Sequence, residues 1–123
     1  MALRCMIPAL GDIPAFPVKE LEPDGWRDGL LVRSPNWLGD AAMTLPALCV
    51  LRKLVPEPCG IFVVCPKGFA PLFEMLPSLV NKVIPLEDAH AFLSRKERKQ
   101  IRSLRPGCAV LFNNSFRDAL SLK

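Results

Sequence analysis

Apolar and polar residues follow one another in blocks along this chain, and the blocks predict strands and helices in turn. We predict buried strands where short apolar runs occur, at residues 30–32, 61–65, 82–86 and 108–112. We predict helices where the composition or spacing is helical, at residues 41–55, 70–76, 87–104 and 115–122. Strands that alternate with helices are joined by right-handed crossovers. The pattern therefore predicts an α/β fold, with a doubly wound parallel sheet that helices cover on both faces.

Pro46 complicates the first predicted helix, because an interior proline removes one backbone hydrogen bond. Two arrangements are compatible with the sequence. Either the helix kinks at Pro46, or residues 41–45 form an irregular turn and the regular helix starts near Pro46.

The first part of the chain differs in composition from the rest. Residues 1–28 are rich in proline and show no sustained period, so we predict an extended leader there. Residues 29–123 form one predicted domain, because 123 residues suffice for a single compact core but not for two. The last predicted helix meets no stop signal before Lys123, and we therefore expect this domain to be truncated.

Composition favours a folded protein in the cytoplasm. Half of the residues are hydrophobic, which argues against disorder. The longest apolar stretch, residues 41–51, is interrupted by Thr44 and Pro46 and is too short to span a bilayer. The first residues lack the long apolar region and cleavage context of a signal peptide.

Cysteine usage does not indicate a metal site or a disulfide framework. The five cysteines include no C-x-x-C pair, and the chain has a single histidine, His90. We predict that all five are reduced structural thiols, and that Cys49, Cys65 and Cys108 act as small buried hydrophobes. We expect neither a bound metal nor a cofactor.

The net charge of +4 is concentrated in one segment. Between residues 95 and 105 a single acid, Glu97, stands among six basic residues: Arg95, Lys96, Arg98, Lys99, Arg102 and Arg105. These residues form either a solvated helix face or a patch that attracts an anionic partner. The segment has no interleaved aromatic residues for base stacking, so nucleic acid is not the predicted partner.

Two predicted loops contain the candidate functional residues. Ligands of open α/β sheets bind at the carboxyl ends of the strands, and residues 34–40 and 113–117 follow the first and fourth predicted strands. The candidates are Asn36, Trp37, Gly39, Asp40, Ser115 and Arg117.

Several candidates also have purely structural interpretations. Trp37 covers the core or offers a platform for a sugar, and Asn36 binds a sugar hydroxyl or closes its own turn. Ser115 caps a helix or belongs to the binding site. Arg117 forms a surface ion pair or contacts a phosphate or carboxylate of an anionic ligand.

Asp40 has both a structural and a chemical interpretation. Aspartate is among the best N-cap residues, so capping alone would explain it. A position near a helix N-terminus also favours the ionised carboxylate, which a general base requires. Gly39 before it would permit a tight turn that a side chain would hinder.

Two of these segments resemble a known family. Residues 32–48, VRSPNWLGDAAMTLPAL, look like the opening strand, loop and helix of ADP-heptose:lipopolysaccharide heptosyltransferases (glycosyltransferase family 9). Residues 113–117, NNSFR, look like a later loop of that family, and Ile84-Pro85-Leu86 fits the end of its third strand. The resemblance covers the chain from about Gly29 to the end, and not the leader.

The resemblance implies a fold and an activity. The family has the GT-B architecture, in which two Rossmann-like domains enclose the active site, and this chain would be the N-terminal, acceptor-side half. The implied reaction is an inverting, metal-independent transfer of a heptose from ADP-heptose to a lipopolysaccharide core acceptor. The family's proposed base corresponds to Asp40, and Asn36, Trp37, Gly39, Ser115 and Arg117 would contact the acceptor.

The same resemblance implies partners and a location. The partners would be a nucleotide-sugar donor and a lipid-linked anionic oligosaccharide, with a peripheral contact at the inner face of the inner membrane. Because half of the cleft lies in the other domain, we expect this chain alone to be inactive.

Two other functions fit the pattern. The chain would then be a non-catalytic binding module of flavodoxin-like shape, or an inactive remnant. Phosphoacceptor receivers of that shape carry an acidic cluster after the first strand, whereas the first loop here contains only Asp40.

Overall fold

The computed structural model describes residues 23–122, which form a four-stranded, all-parallel sheet with helices. The strands are β1 (Gly29–Arg33), β2 (Gly60–Pro66), β3 (Lys82–Leu86) and β4 (Cys108–Leu111), in the spatial order β3-β2-β1-β4. The helices are α1 (Leu38–Met43), α2 (Leu45–Leu54), α3 (Ala70–Glu74), α4 (Arg95–Ser103) and α5 (Phe116–Ser121). The predicted α/β fold with a parallel sheet is confirmed. The predicted leader lies outside the described residues except for residues 23–28, where Pro23–Trp26 form a 3-10 turn.

The central strands β1 and β2 are apolar at every position but the last one or two, and both of their faces are buried. Leu30 and Val32 face one cluster, which α2 and α3 complete with Leu48 and Phe73. Leu31 faces a second cluster on the opposite side. That second cluster contains Phe62, Val64, Ile84, Leu86 and, from α4, Ile101. Each fully buried side chain of this size contributes about 1.5–3 kcal/mol, so helices on both faces stabilise the sheet.

The first predicted helix is two helices. It begins earlier than predicted, at Leu38, and it breaks at Thr44, whose hydroxyl donates to the Ala41 carbonyl at 2.7 Å. Pro46 then lies in the first turn of α2, where no backbone N–H is required of it. Residues 41–43 are therefore helical and not an irregular turn, but a second helix does start next to Pro46, at Leu45.

The prediction of a helix from residue 87 is wrong for its first half. Residues 87–94 form a loop in which the Asp88 carboxylate accepts a hydrogen bond from the His90 backbone N–H at 2.8 Å. Such an Asx turn competes with a helix for the same backbone groups. The helix begins only after Ser94, which forms a reciprocal capping box with Glu97. His90 is therefore exposed on a loop rather than on a helix.

Two glycines permit close backbone contacts at the amino edge of the sheet, Gly107 with the 3-10 turn and Gly29 with the start of β2. A Cβ atom on Gly107 would lie 1.9 Å from the Gly25 carbonyl oxygen, and one on Gly29 would lie 2.0 Å from that of Gly60. Gly29 also has a φ of 147°, which disfavours any side chain. Gly107 is therefore required by close backbone packing and is more than the ordinary turn residue that its sequence indicates.

The cysteines only partly follow the prediction. Cys65 is buried, and burial raises the pKa of its thiol to about 12, so it stays protonated. Burial also raises the pKa of the half-buried Cys108. Cys49, by contrast, is exposed, because it lies on the outer face of α2, and its predicted burial is wrong. The four cysteines of the described region are free thiols, and Cys5 lies outside that region.

Within residues 23–122, no helix is both long enough and apolar enough to cross a membrane. The basic residues of α4 are all exposed, while Ile101 and Glu97 of the same helix are buried.

The capping box of α4 generates a pH-dependent prediction. The Glu97 carboxylate accepts from the backbone N–H groups of Ser94 at 2.7 Å and Glu87 at 3.2 Å. Burial alone would raise its pKa, but the hydrogen bonds from Ser94 and Glu87 together lower the pKa below the ordinary 4.5. Glu97→Gln should therefore lower the free energy of unfolding by about 1–2 kcal/mol at neutral pH, measured by urea denaturation.

That difference should shrink as the pH falls below 4.5, because the native carboxylate then protonates and loses its advantage. Glu74→Gln is the control, since Glu74 is exposed and its carboxylate makes no hydrogen bond within the described chain. If Glu97→Gln lowers the free energy of unfolding as much at acidic pH as at neutral pH, this account is contradicted.

Candidate functional site

The carboxyl edge of the sheet has a point where the strand order reverses. From β1 the chain crosses to β2 on one side, whereas β4 lies on the other side of β1. The loops that follow β1 and β4 therefore leave in different directions, and an open α/β sheet has its ligand crevice at such a point. Residues 34–37 and 112–115 are these two loops.

A buried arginine ties the loops of this edge together. Arg33 is the last residue of β1 and is only 1% exposed. Its Nε lies 3.3 Å from the Asp118 carboxylate, and its terminal nitrogens donate to Asn36 Oδ1 at 2.7 Å and to the Ser34 and Ala89 carbonyls at 2.6 and 3.3 Å. It thereby joins the loops after β1 and β3 to α5, the helix that follows β4.

Asp118 is the partner that compensates the buried charge. It lies in the first turn of α5, where the helix dipole favours a carboxylate, and it also accepts a hydrogen bond from the Asn113 side-chain amide. Burial lowers the pKa of Arg33, and the nearby Asp118 carboxylate opposes that shift. We call Arg33, Asn36, Asn113 and Asp118 the Arg33 network.

Asp40 lies where a reactive carboxylate would be accessible. It is exposed, in the first turn of α1, directly beyond the carboxyl end of β1. It is not the N-cap, because the helix begins at Leu38 after Trp37, and the cap position makes no side-chain hydrogen bond. The capping interpretation is therefore wrong. Within the described residues the Asp40 carboxylate has no hydrogen-bond or ion-pair partner.

Trp37 and Gly39 also differ from the structural roles that the sequence allowed for them. Trp37 is 75% exposed, so it does not cover the core. Gly39 is helical, has no positive φ, and has nothing within 4 Å of the position of a Cβ atom. It is therefore not required for a tight turn, and its missing side chain leaves open space beside Asp40.

The remaining candidates belong to the structure around the Arg33 network. Asn36 accepts from Arg33 through Oδ1, while its amide N–H groups make no hydrogen bond within the described residues. Ser115 is the N-cap of α5 and accepts from the Asp118 backbone N–H at 3.2 Å, so it does cap a helix. Arg117 is half-buried and donates to the carbonyl oxygens of His90 and Ala89, with its Nε 3.8 Å from Asp118.

The candidates therefore fall into two groups. Trp37, Gly39 and Asp40 are exposed at the start of α1, whereas Asn36, Ser115 and Arg117 contact the network or the loop after β3. Sequence reasoning missed Arg33 and Asp118. The available signals were an arginine directly after three apolar strand residues and an acid three residues after Ser115, a capping spacing.

Comparisons of the chain with protein-family models, with curated proteins and with solved structures found no match. Within residues 23–122, no three histidine, cysteine, aspartate or glutamate side chains are grouped so that they could hold a metal ion.

The Arg33 network generates a stability prediction. Asp118→Asn leaves the Arg33 guanidinium buried without its counter-charge, and we expect a loss of about 3 kcal/mol in the free energy of unfolding, measured by urea denaturation. The double variant Arg33→Met/Asp118→Leu should lose less than the sum of the single variants, because it removes both charges.

The exposed pair of Lys67 and Glu87, 3.1 Å apart, is the matched control. Lys67→Gln should change the free energy of unfolding by less than about 1 kcal/mol. If Asp118→Asn were equally mild, the ion pair would not hold the two loops and α5 together.

Proposed function

We propose that this chain is the acceptor-side, Rossmann-like domain of an inverting GT-B glycosyltransferase that transfers a heptose from ADP-heptose to a lipopolysaccharide core. The observation that carries the proposal is the position of Asp40. Its carboxylate is exposed, unpaired within the described residues, and adjacent to the point where the strand order reverses. The sequence of residues 32–48 supports the family, and the strand order β3-β2-β1-β4 agrees with a doubly wound sheet.

In the proposed reaction, a hydroxyl oxygen of the acceptor attacks the anomeric carbon of the heptose. The new carbon–oxygen bond forms as the bond to the diphosphate breaks, and ADP leaves with that electron pair. Asp40 takes the proton of the hydroxyl. A general base of this kind contributes typically about 10²- to 10⁴-fold to the rate. The donor would bind to the second domain of the enzyme, so this chain alone would not transfer sugar.

The other candidates take supporting roles. Trp37 offers an exposed ring against which a sugar can stack, and the free amide N–H groups of Asn36 can donate to a sugar hydroxyl while Arg33 fixes its orientation. Ser115 and Arg117 act as positioning residues, because one caps α5 and the other holds the loop after β3. The lipid-linked acceptor would bring the enzyme to the cytoplasmic face of the inner membrane.

Asp40→Asn tests the proposed base. In a protein that carries this domain together with its donor-binding half, kcat should fall by about 10²- to 10⁴-fold, while affinity for ADP-heptose stays at the wild-type value. Turnover with a heptose-free core acceptor and isothermal titration with the donor measure the two quantities.

Asp28→Asn is the matched control, because Asp28 is also exposed but precedes β1 at the opposite edge of the sheet. It should leave kcat unchanged. Unchanged turnover in Asp40→Asn would remove the base assignment, and absence of transfer in the wild-type protein would remove the proposed function.

Gly39→Ala separates a role in acceptor binding from a role in folding. Alanine has open space there and favours a helix, so the free energy of unfolding should stay constant or rise by about 0.5–1 kcal/mol. The added methyl group would narrow the space beside Asp40, and we expect the KM for the acceptor to rise about tenfold, equivalent to about 1.4 kcal/mol.

Gly68→Ala provides the comparison, since Gly68 also has nothing within 4 Å of a Cβ position but lies after β2. Its KM should not change. An unchanged KM in Gly39→Ala would show that acceptor does not approach this residue.

A further inference from the structure

A cavity lies away from the carboxyl edge of the sheet, between α4 and α5. Its volume is about 420 Å³, and four arginines line it: Arg27, Arg98, Arg102 and Arg105. Arg27 precedes β1 and Arg105 precedes β4, so the cavity opens toward the amino edge of the sheet. We call it the α4–α5 groove.

The basic residues of α4 are sorted between the groove and the solvent. Arg98 and Arg102 are four residues apart, which brings them to one side of the helix, and Arg105 follows the C-terminal end of α4. Lys96 and Lys99, in contrast, do not line the groove. Arginine presents a planar fork of donors that matches phosphate oxygens, whereas lysine presents a point charge. Arg95 does not line the groove either, but every basic side chain that does line it is an arginine.

The convergent charges are only weakly compensated. Among the described residues, the lining of the groove contains no aspartate or glutamate. Asp28 lies 3.9 Å from Arg105, in an exposed pair, and the guanidinium groups of Arg27, Arg98 and Arg102 have no hydrogen-bond or ion-pair partner within residues 25–122. Like charges repel at short range, so an anion bound between these groups would relieve an unfavourable potential.

Apolar residues also line the groove. They are Leu93 and Ile101 from the α4 side and Leu120 and Leu122 from the α5 side. The Ser121 hydroxyl is buried in the same lining and has no hydrogen-bond partner within the described residues. The ligand that fits has a charged, oxygen-rich end for the arginines and an apolar part for the leucines.

We propose that the α4–α5 groove binds the phosphate headgroup of an anionic phospholipid, with the adjoining acyl segment on Leu120 and Leu122. The inference does not rest on the sugar-transfer function. It assigns membrane-lipid binding to a discrete groove and not to the whole basic surface of α4, and Arg27 contributes although it lies outside that helix.

Titration of the chain with dihexanoyl phosphatidic acid, a soluble short-chain lipid, tests the assignment. We expect saturable one-to-one binding by calorimetry. Arg98→Gln/Arg102→Gln should weaken it about 25-fold, at about fivefold for each charge removed, which corresponds to about 1 kcal/mol per charge. Lys96→Gln/Lys99→Gln removes the same charge from the same helix and should change the affinity less than about twofold.

A further variant and two other anions test whether the groove is specific for the lipid. Arg27→Gln should weaken binding about fivefold, and it remains informative if the double arginine variant fails to fold. Inorganic phosphate and polyglutamate should each bind at least about tenfold more weakly than the lipid. Equal losses in the arginine and lysine pairs, or no loss in either, would overturn the proposal in favour of diffuse charge. Phosphate or polyglutamate binding as tight as that of the lipid would also overturn it.

Discussion

The buried ion pair between Arg33 and Asp118 is the interaction on which the carboxyl edge depends. Removing two charges from water is costly, and such a pair contributes little net stability over an apolar alternative. The pair restricts the geometry of this edge, because Arg33 contacts oxygen atoms from the loop after β1, the loop after β3 and helix α5 at once. These elements cannot separate without leaving a buried charge unpaired. The wall of the crevice is therefore held in one arrangement before any ligand binds.

The parts of the fold that the sequence predicts are those with local causes. β1 and β2 are apolar on both faces, so their existence follows from composition, and the bounds of β3 were predicted to the residue. The helix predicted over residues 87–104 is wrong only at residues 87–94, because polar residues suit a helix as well as a loop and the Asp88 turn favours the loop. The capping box at Ser94 was visible in the sequence as S-x-x-E.

The positions of the two candidate loops could be predicted from the sequence, but the contacts of their residues could not. The loops after β1 and β4 could be found because topology brings the carboxyl ends of parallel strands to one edge. The partners of Asn36 and Arg117 could not, since they depend on a buried arginine, and arginine is almost never fully buried unless it is paired. For Asp40 the sequence left helix capping and a role as a base open. α1 begins two residues before it without any side-chain cap, and within the described residues its carboxylate has no partner.

The arginines of this domain differ in how far neighbouring oxygen atoms already pair with their guanidinium groups. That difference decides which of them can bind a ligand anion. Arg33 and Arg117 already donate to carboxylate and carbonyl oxygens, so a ligand anion would have to displace bonds that hold the loops. The arginines of the α4–α5 groove are exposed, and a phosphate could reach them without breaking any contact of the described residues except the exposed pair of Arg105 and Asp28. Anion binding is therefore favoured at the amino edge. The carboxyl edge, where Asp40 is exposed, is better suited to hydroxyl groups than to phosphate.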